Sequence, residues 1–177
     1  MLRPHRLRRL KKNGRVQGTC FVPQRLRWRR GPGDIRYSGY VVVNCRMALA
    51  LAEFERVAQS VAARVFGARS RVTHIRDLGS YNCRLIRGHG RMSEHAYGNA
   101  LDVASFRVKG FGVVSVRRHW SSPEKRHRRA RRFLHQLVAE LRRRRVFSTV
   151  LDPSFNTSHG NHLHLDLNLV RMGLDGW

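Results

Sequence analysis

The chain is expected to fold as an α+β domain, with two main helices packed on a small, mostly antiparallel sheet. Three observations predict this. Residues 45–66 place Met47, Ala50, Leu51, Phe54, Val57, Ala58, Val61, Ala62 and Val65 at the three- and four-residue spacing of a core-facing helix. Phe133, Leu134, Leu137, Val138 and Leu141 repeat that spacing within an otherwise Arg-rich stretch. Short apolar or alternating runs, of strand length and bounded by turn residues, fill the rest. A hydrophobic share of 41% over 177 residues suits one folded domain.

The elements follow in order. Residues 1–36 are rich in Arg, contain Gly31, Pro32 and Gly33, and read as a basic N-terminal arm to a domain spanning 37–177. Residues 40–43 form an apolar run of strand type. Asn44 is a good N-cap for the first helix, and Gly67 stands where its stop belongs. Residues 72–78 read as a strand and 79–93 as a loop with three glycines. Ala100, Val103 and Phe106, then Val113, Val114 and Val116, suggest two strands joined by a turn at 109–112. Pro123 and Glu124 open the second helix, which runs to about Arg144. Residues 147–151 read as a strand, and a loop at 152–161 leads into the alternating segment 162–169. There is no internal repeat.

Lys and Arg total 36 against 11 Asp and Glu, a formal net charge of +25. Such a chain is drawn to polyanions by long-range, salt-sensitive forces. Anionic cell-wall polymers, lipid headgroups and nucleic acid all qualify, and charge does not choose among them. No helix-turn-helix, RNP-type or zinc-finger signal accompanies the basic runs, so any nucleic-acid binding is expected to be non-specific. No segment approaches the roughly 20 apolar residues of a membrane span, and no apolar h-region marks a signal peptide. Cys20, Cys45 and Cys83 are an odd set, so at least one is unpaired within the chain, and spacing does not name a pair.

Chemistry concentrates in two clusters. Leu163, Leu165 and Leu167 alternate with His162, His164 and Asp166. In a strand the leucines face the core and the polar three share the opposite face. Histidines on a solvated face are the alternative to a metal site. The second cluster sets His95 seven residues before Asp102, inside the apolar run 100–104. A carboxylate buried there needs a partner, either a metal ion or an Arg. Catalytic zinc commonly takes three His or carboxylate ligands and leaves a position for water. His95, Asp102 and His164 meet that count, and the helical H-E-x-x-H arrangement is absent.

Ser93, His95, Gly98, Ala100 and Asp102 match the S-x-H-x-x-G-x-A-x-D pattern of the LAS metallopeptidases, and His162 with His164 resembles their second signature, H-x-H. The closer resemblance is to the bacterial extensin-like C-terminal domain family. Gly79-Ser-Tyr-Asn-Cys83-Arg84, Met92-Ser-Glu-His95, Asn99-Ala-Leu-Asp102, Thr149-Val-Leu-Asp-Pro153 and His162-Leu-His-Leu-Asp166 look like its segments. The resemblance implies an LAS peptidase-like fold and a Zn2+ ion on His95, Asp102 and His164. It implies that His162 acts as base or steadies the intermediate, with His159 as a second base or outer group. Arg84 and Ser93 would contact substrate, Arg84 also steadying the oxyanion.

The implied activity is zinc-dependent hydrolysis of amide bonds in peptidoglycan stem peptides or cross-links, in the cell envelope, periplasm or outside the cell. A catalytically weak or inactive zinc-containing wall-binding module is the alternative. Two departures stand out. No Glu shortly precedes His164, which favours a histidine-assisted endopeptidase pattern over that of the carboxypeptidases. Extensin-like domains are also usually richer in cysteine. Arg143, Arg144 and Arg145 stand where another Cys is expected, so Cys83 is expected to lack its usual partner.

Overall fold

The computed structural model describes residues 8–9, 20, 22, 24–86 and 90–168. It is α+β, as expected, but the sheet is larger than the sequence suggests and mixed. Eight strands lie in the order β1-β2-β3-β4-β5-β8-β7, with β6 also paired to β5. The strands are β1 (Arg8–Arg9), β2 (Leu26–Arg30), β3 (Arg36–Val43), β4 (Val72–Gly79), β5 (Ala100–Val108), β6 (Gly112–Ser115), β7 (Thr149–Leu151) and β8 (Leu163–Asp166). Among the described strands, only β3 and β4 pair in parallel. Helix α1 (Cys45–Phe66) connects them, as a parallel pair requires.

Asn44 caps α1 as expected: its side chain accepts from Met47 N at 2.8 Å. Gly67 ends the helix, its N–H donating to Ala63 O. The second long helix begins later than expected. A short helix α2 (Val116–His119) and a 3-10 turn (Lys125–His127) precede α3 (Arg128–Arg143). Phe133, Leu134, Leu137, Val138 and Leu141 of α3 are buried as anticipated. Burying five such side chains contributes on the order of 10 kcal/mol, so packing rather than its crowded Arg face holds this helix down.

Both long helices cover one face of the sheet. Val41, Val43, Ile75, Leu101, Val103, Phe106, Leu163 and Leu165 meet them in a single core. Phe106 lies at the centre, with ring centroids 6.3 Å from Phe54 and 5.3 Å from Phe133. Strand alternation turns Asp102, His164 and Asp166 to the other face. Strand β5 is the hub: its first half pairs with β8, its second half with β6, and its other edge with β4.

The basic arm expected at 1–36 is corrected at its C-terminal part. Leu26–Arg30 pairs antiparallel with β3, and Trp28 and Ile35 are core residues. Arg27, Arg29 and Arg30 flank a single buried Trp, so charge masks the strand alternation. Most of residues 1–19 lie outside the described residues, as does Leu169 at the expected end of the last strand. With arginine at 143–145, Cys83 pairs elsewhere: it forms a disulfide with Cys20, the pairing that spacing did not name, and Cys45 is the free thiol. This pair ties the segment before β2 to the stretch after β4.

The fully buried Glu55 fixes the turn after β2. Its carboxylate accepts from Trp28 Nε1 at 3.1 Å and Gly33 N at 2.8 Å. A Cβ at Gly31 would stand 2.2 Å from the Trp28 ring, so the wrap requires glycine there. Burial raises the Glu55 carboxyl to about 7, against the pull of those N–H donors. The folded state therefore keeps a proton that the unfolded chain releases near its ordinary 4.5. Stability is fullest below about pH 4.5 and falls as pH rises to about 7, by up to about 3 kcal/mol. Urea midpoints measured from pH 5 to 7.5 should decline in the wild type, with much of the decline removed in Glu55→Gln; equal slopes would show that Glu55 does not hold the proton.

Candidate metal centre

Three elements converge on the open face. Asp102 and His164 are direct cross-strand partners in β5 and β8. His95 comes from a 3-10 turn (Glu94–Tyr97) that precedes β5. Ser93 caps this turn, its buried hydroxyl accepting from His95 N at 3.4 Å. Gly98 ends it in the left-handed region at φ 61°, where a Cβ would lie 2.7 Å from Val22. Asn44 N donates to Gly98 O, and Asn44 Nδ2 to Asn99 Oδ1, which fastens the turn to the start of α1. Asn99 Nδ2 reaches Glu94 Oε2 and the Leu167 carbonyl, fastening it to the end of β8.

One ligand atom each from His95, Asp102 and His164 lies within 4.8 Å of the others. His95 Nε2 stands 3.3 Å from Asp102 Oδ2 and 3.3 Å from His164 Nδ1, and His164 Nδ1 is 2.8 Å from Asp102 Oδ1. The outer ring nitrogens are also held. His95 Nδ1 is 3.2 Å from the Ser80 carbonyl, which only accepts, so Nδ1 carries the hydrogen and Nε2 offers its lone pair inward. His164 Nε2 is 2.9 Å from Asp166 Oδ2, leaving Nδ1 turned to Asp102. Ligand histidines are commonly oriented this way, by an outer carboxylate or carbonyl. These residues therefore fit a metal ion: two imidazoles and a carboxylate converge with their outer hydrogen bonds already made.

Electrostatics agree with a site made for positive charge. Burial opposes ionisation of Asp102, but the His164 and His95 rings beside it outweigh that penalty and hold the carboxyl well below its usual range. Burial likewise disfavours a charged His164, yet the Asp102 and Asp166 carboxylates push it up to about 9. Glu94 beside them is raised, chiefly by burial.

The expected catalytic residues are distributed unevenly. His162 reaches the site, its Nε2 3.6 Å from Asp102 Oδ1, while its Nδ1 lies 2.7 Å from Asn161 Oδ1. His159 stacks beside it, with ring centroids 5.1 Å apart, and is held by Asn156 Oδ1 at 2.6 Å. Burial lowers the pKa of both rings, favouring their neutral forms. Arg84 O accepts from Ser93 N, so its backbone borders the His95 turn. The Arg84 side chain is exposed and donates to the Leu85 carbonyl; among the described residues it meets none of the metal-site groups.

Sequence reasoning placed Asp166 on the correct face but gave it no role. Its position two residues after His164 was the available signal. The Ser80 carbonyl carried none, because any residue offers one. Also unforeseen was the anchoring of the loop that carries His159. Asp152 is buried beneath it, taking Arg142 Nη2 at 2.7 Å and Ser154 N at 2.8 Å, and Trp120 Nε1 bonds Ser154 Oγ.

The family model described as the extensin-like protein C-terminus matches residues 3–174, and the chain belongs to that family. No curated protein and no solved structure matches it significantly. No helix among the described residues is long and apolar enough to cross a membrane.

Asp166→Asn should weaken metal binding by about 10–100-fold while the protein stays folded, since the amide no longer enforces the orientation of His164. Competition titration against a metal-sensitive dye checks this, and unchanged affinity would show that Asp166 is not the orienting partner.

Proposed function

We propose that this extensin-like domain is a zinc-dependent hydrolase of amide bonds in peptidoglycan stem peptides or cross-links. The observation that carries the reading is the convergence of His95, Asp102 and His164 with a third histidine, His162, at their edge. Two histidines and one carboxylate match the ligand set of catalytic zinc, which leaves a position open. The motifs that supply these residues resemble those of the LAS metallopeptidases, and peptidoglycan as substrate rests on that resemblance. The Cys20–Cys83 disulfide supports an oxidising setting such as the periplasm or cell exterior.

Zinc at this position supplies Lewis acidity toward a carbonyl oxygen and acidifies water. The chain's residues divide the remaining work. With Nδ1–H donated to Asn161, neutral His162 keeps the Nε2 lone pair toward the site, where it takes a proton from attacking water and returns it to the leaving amine. His159, neutral and adjacent, is the reserve base. Asp166 and the Ser80 carbonyl hold the ligand rings still. Arg84 stands on the segment bordering the His95 turn, in reach of a substrate carboxylate or the developing oxyanion once its side chain swings from Leu85 O. Ser93 shapes the turn as its cap and lines the same border.

The test is metal content by mass spectrometry together with muropeptide release from purified sacculi. Wild type should bind one zinc per chain and release muropeptides. Asp102→Ala should lose both. His162→Ala should retain zinc and lose about 10²–10⁴-fold in rate. A His162→Ala protein with zinc and full activity removes His162 from the mechanism. Wild-type protein that holds zinc and binds sacculi without turnover would instead be a wall-binding module.

A further inference from the structure

A second feature lies on the helical layer, behind the sheet from the histidines. Where α1 ends against the start of α3, a shallow depression is lined by Val65, Arg128, Arg129 and Arg132 and by no acidic residue. Arg129 is fixed in place. Its Nε and Nη2 reach the Val65 carbonyl at 3.4 and 3.1 Å, and its guanidinium lies 5.5 Å from the Phe66 ring centre and 5.9 Å from that of Phe111. A guanidinium has five N–H donors, so those not aimed at Val65 remain for another acceptor. Arg128 and Arg132 are exposed, stand one helical turn apart on the same face and form no ion pair among the described residues.

This differs from the arginines at the far end of α3 and just beyond it: Arg142 is engaged by Asp152, and Arg143 and Arg144 by Glu140. At the depression three positive charges crowd together with no acidic residue in the lining among the described residues, around one side chain already held against Val65 O and two aromatic rings. A planar carboxylate is well matched by a single guanidinium fork, whereas a tetrahedral oxyanion can take donors from several directions. We propose that Arg128, Arg129 and Arg132 form a phosphate-binding site, taking a phosphate group presented either by a soluble phosphate-bearing molecule or by a lipid headgroup. Ordering of Arg129 before binding reduces the entropy cost that a free surface Arg would incur.

The site is independent of any activity at the histidine cluster and is tested without an activity assay. Inorganic phosphate is titrated into the zinc-treated full chain at 150 mM chloride, where long-range attraction is largely screened (Debye length about 8 Å), and the Arg129 Nε–H NMR signal is followed. Two doubly substituted proteins of equal charge are compared: Arg128→Ser/Arg132→Ser, and Arg46→Ser/Arg107→Ser, whose residues are exposed and outside the depression. All four positions are solvent-facing, and thermal midpoints confirm folding.

The expected result is a saturating shift in wild type and in the Arg46/Arg107 protein, with binding at least tenfold weaker in the Arg128/Arg132 protein. Equal weakening in both variants, or a shift that never saturates, would overturn the site and leave only net charge. In a parallel arm, phosphatidylglycerol vesicles are compared with phosphatidylcholine vesicles. Retention on the former that depends on Arg128 and Arg132 supports the site with a headgroup as source; saturable binding of phosphate alone supports it with a soluble source.

Discussion

The candidate site depends first on the register between β5 and β8. Pairing Asp102 opposite His164 turns a carboxylate and an imidazole to the same face at hydrogen-bond distance. The same register sends Leu101, Val103, Leu163 and Leu165 into the helical core. A one-residue slip would put the charged groups under α1 and α3 and the leucines in water, so the core enforces the site's geometry. The apolar residues and the metal ligands are thus one alternating pattern read from its two sides. The third ligand obeys a different constraint. His95 lies outside the ladder, and its place is set by the Ser93 cap, the Gly98 turn and hydrogen bonds to Asn44 and Asn99.

What was legible in the sequence follows from how locally each feature is encoded. Helix α1 was readable because its cap, apolar stripe and glycine stop lie within one continuous stretch. The face shared by His162, His164 and Asp166 was readable because a strand's period is two. Strand β2 was hidden: among Leu26, Arg27, Trp28, Arg29 and Arg30 only one side chain is fully buried, and its partner Glu55 lies 27 residues away in α1. The Cys20–Cys83 disulfide was hidden for the same reason, since 63 residues separate its ends and only the fold brings them together. The shortened start of α3 reflects Lys125–His127 tightening into a 3-10 turn, a distinction that hydrophobic spacing does not resolve.

The disulfide also bears on the site through the backbone. Cys83 lies between Asn82, whose N–H donates to His95 O, and Arg84, whose carbonyl accepts from Ser93 N. The cross-link thus braces the strip of chain that runs alongside the His95 turn. On the opposite flank, buried Asp152 and the Trp120–Ser154 bond brace the loop bearing His159. The two flanks hold the histidines from outside, while the ligand-bearing strands are held from beneath by the core.

The fold's use of its few acidic residues explains why so basic a chain presents so unbalanced a surface. Of 11 acidic residues, Glu55, Asp77, Asp152 and Asp166 are buried, and Asp102 and Glu94 are partly enclosed at the site. Each of these six is occupied with local donors: Trp28 and Gly33 for Glu55, Gly39 for Asp77, Arg142 for Asp152, His164 for Asp166, the two ligand histidines for Asp102, and Asn99 for Glu94. They organise turns and orient rings, and only Asp152 among them answers an arginine. Few carboxylates then remain outside to neutralise the Arg-rich helices. Negative charge has been concentrated where it positions a cation or a turn, and the positive charge left on the helical layer lies on the far side of the sheet from the histidines. A polyanion attracted to the chain therefore has a face to meet that need not compete with whatever occupies the metal centre.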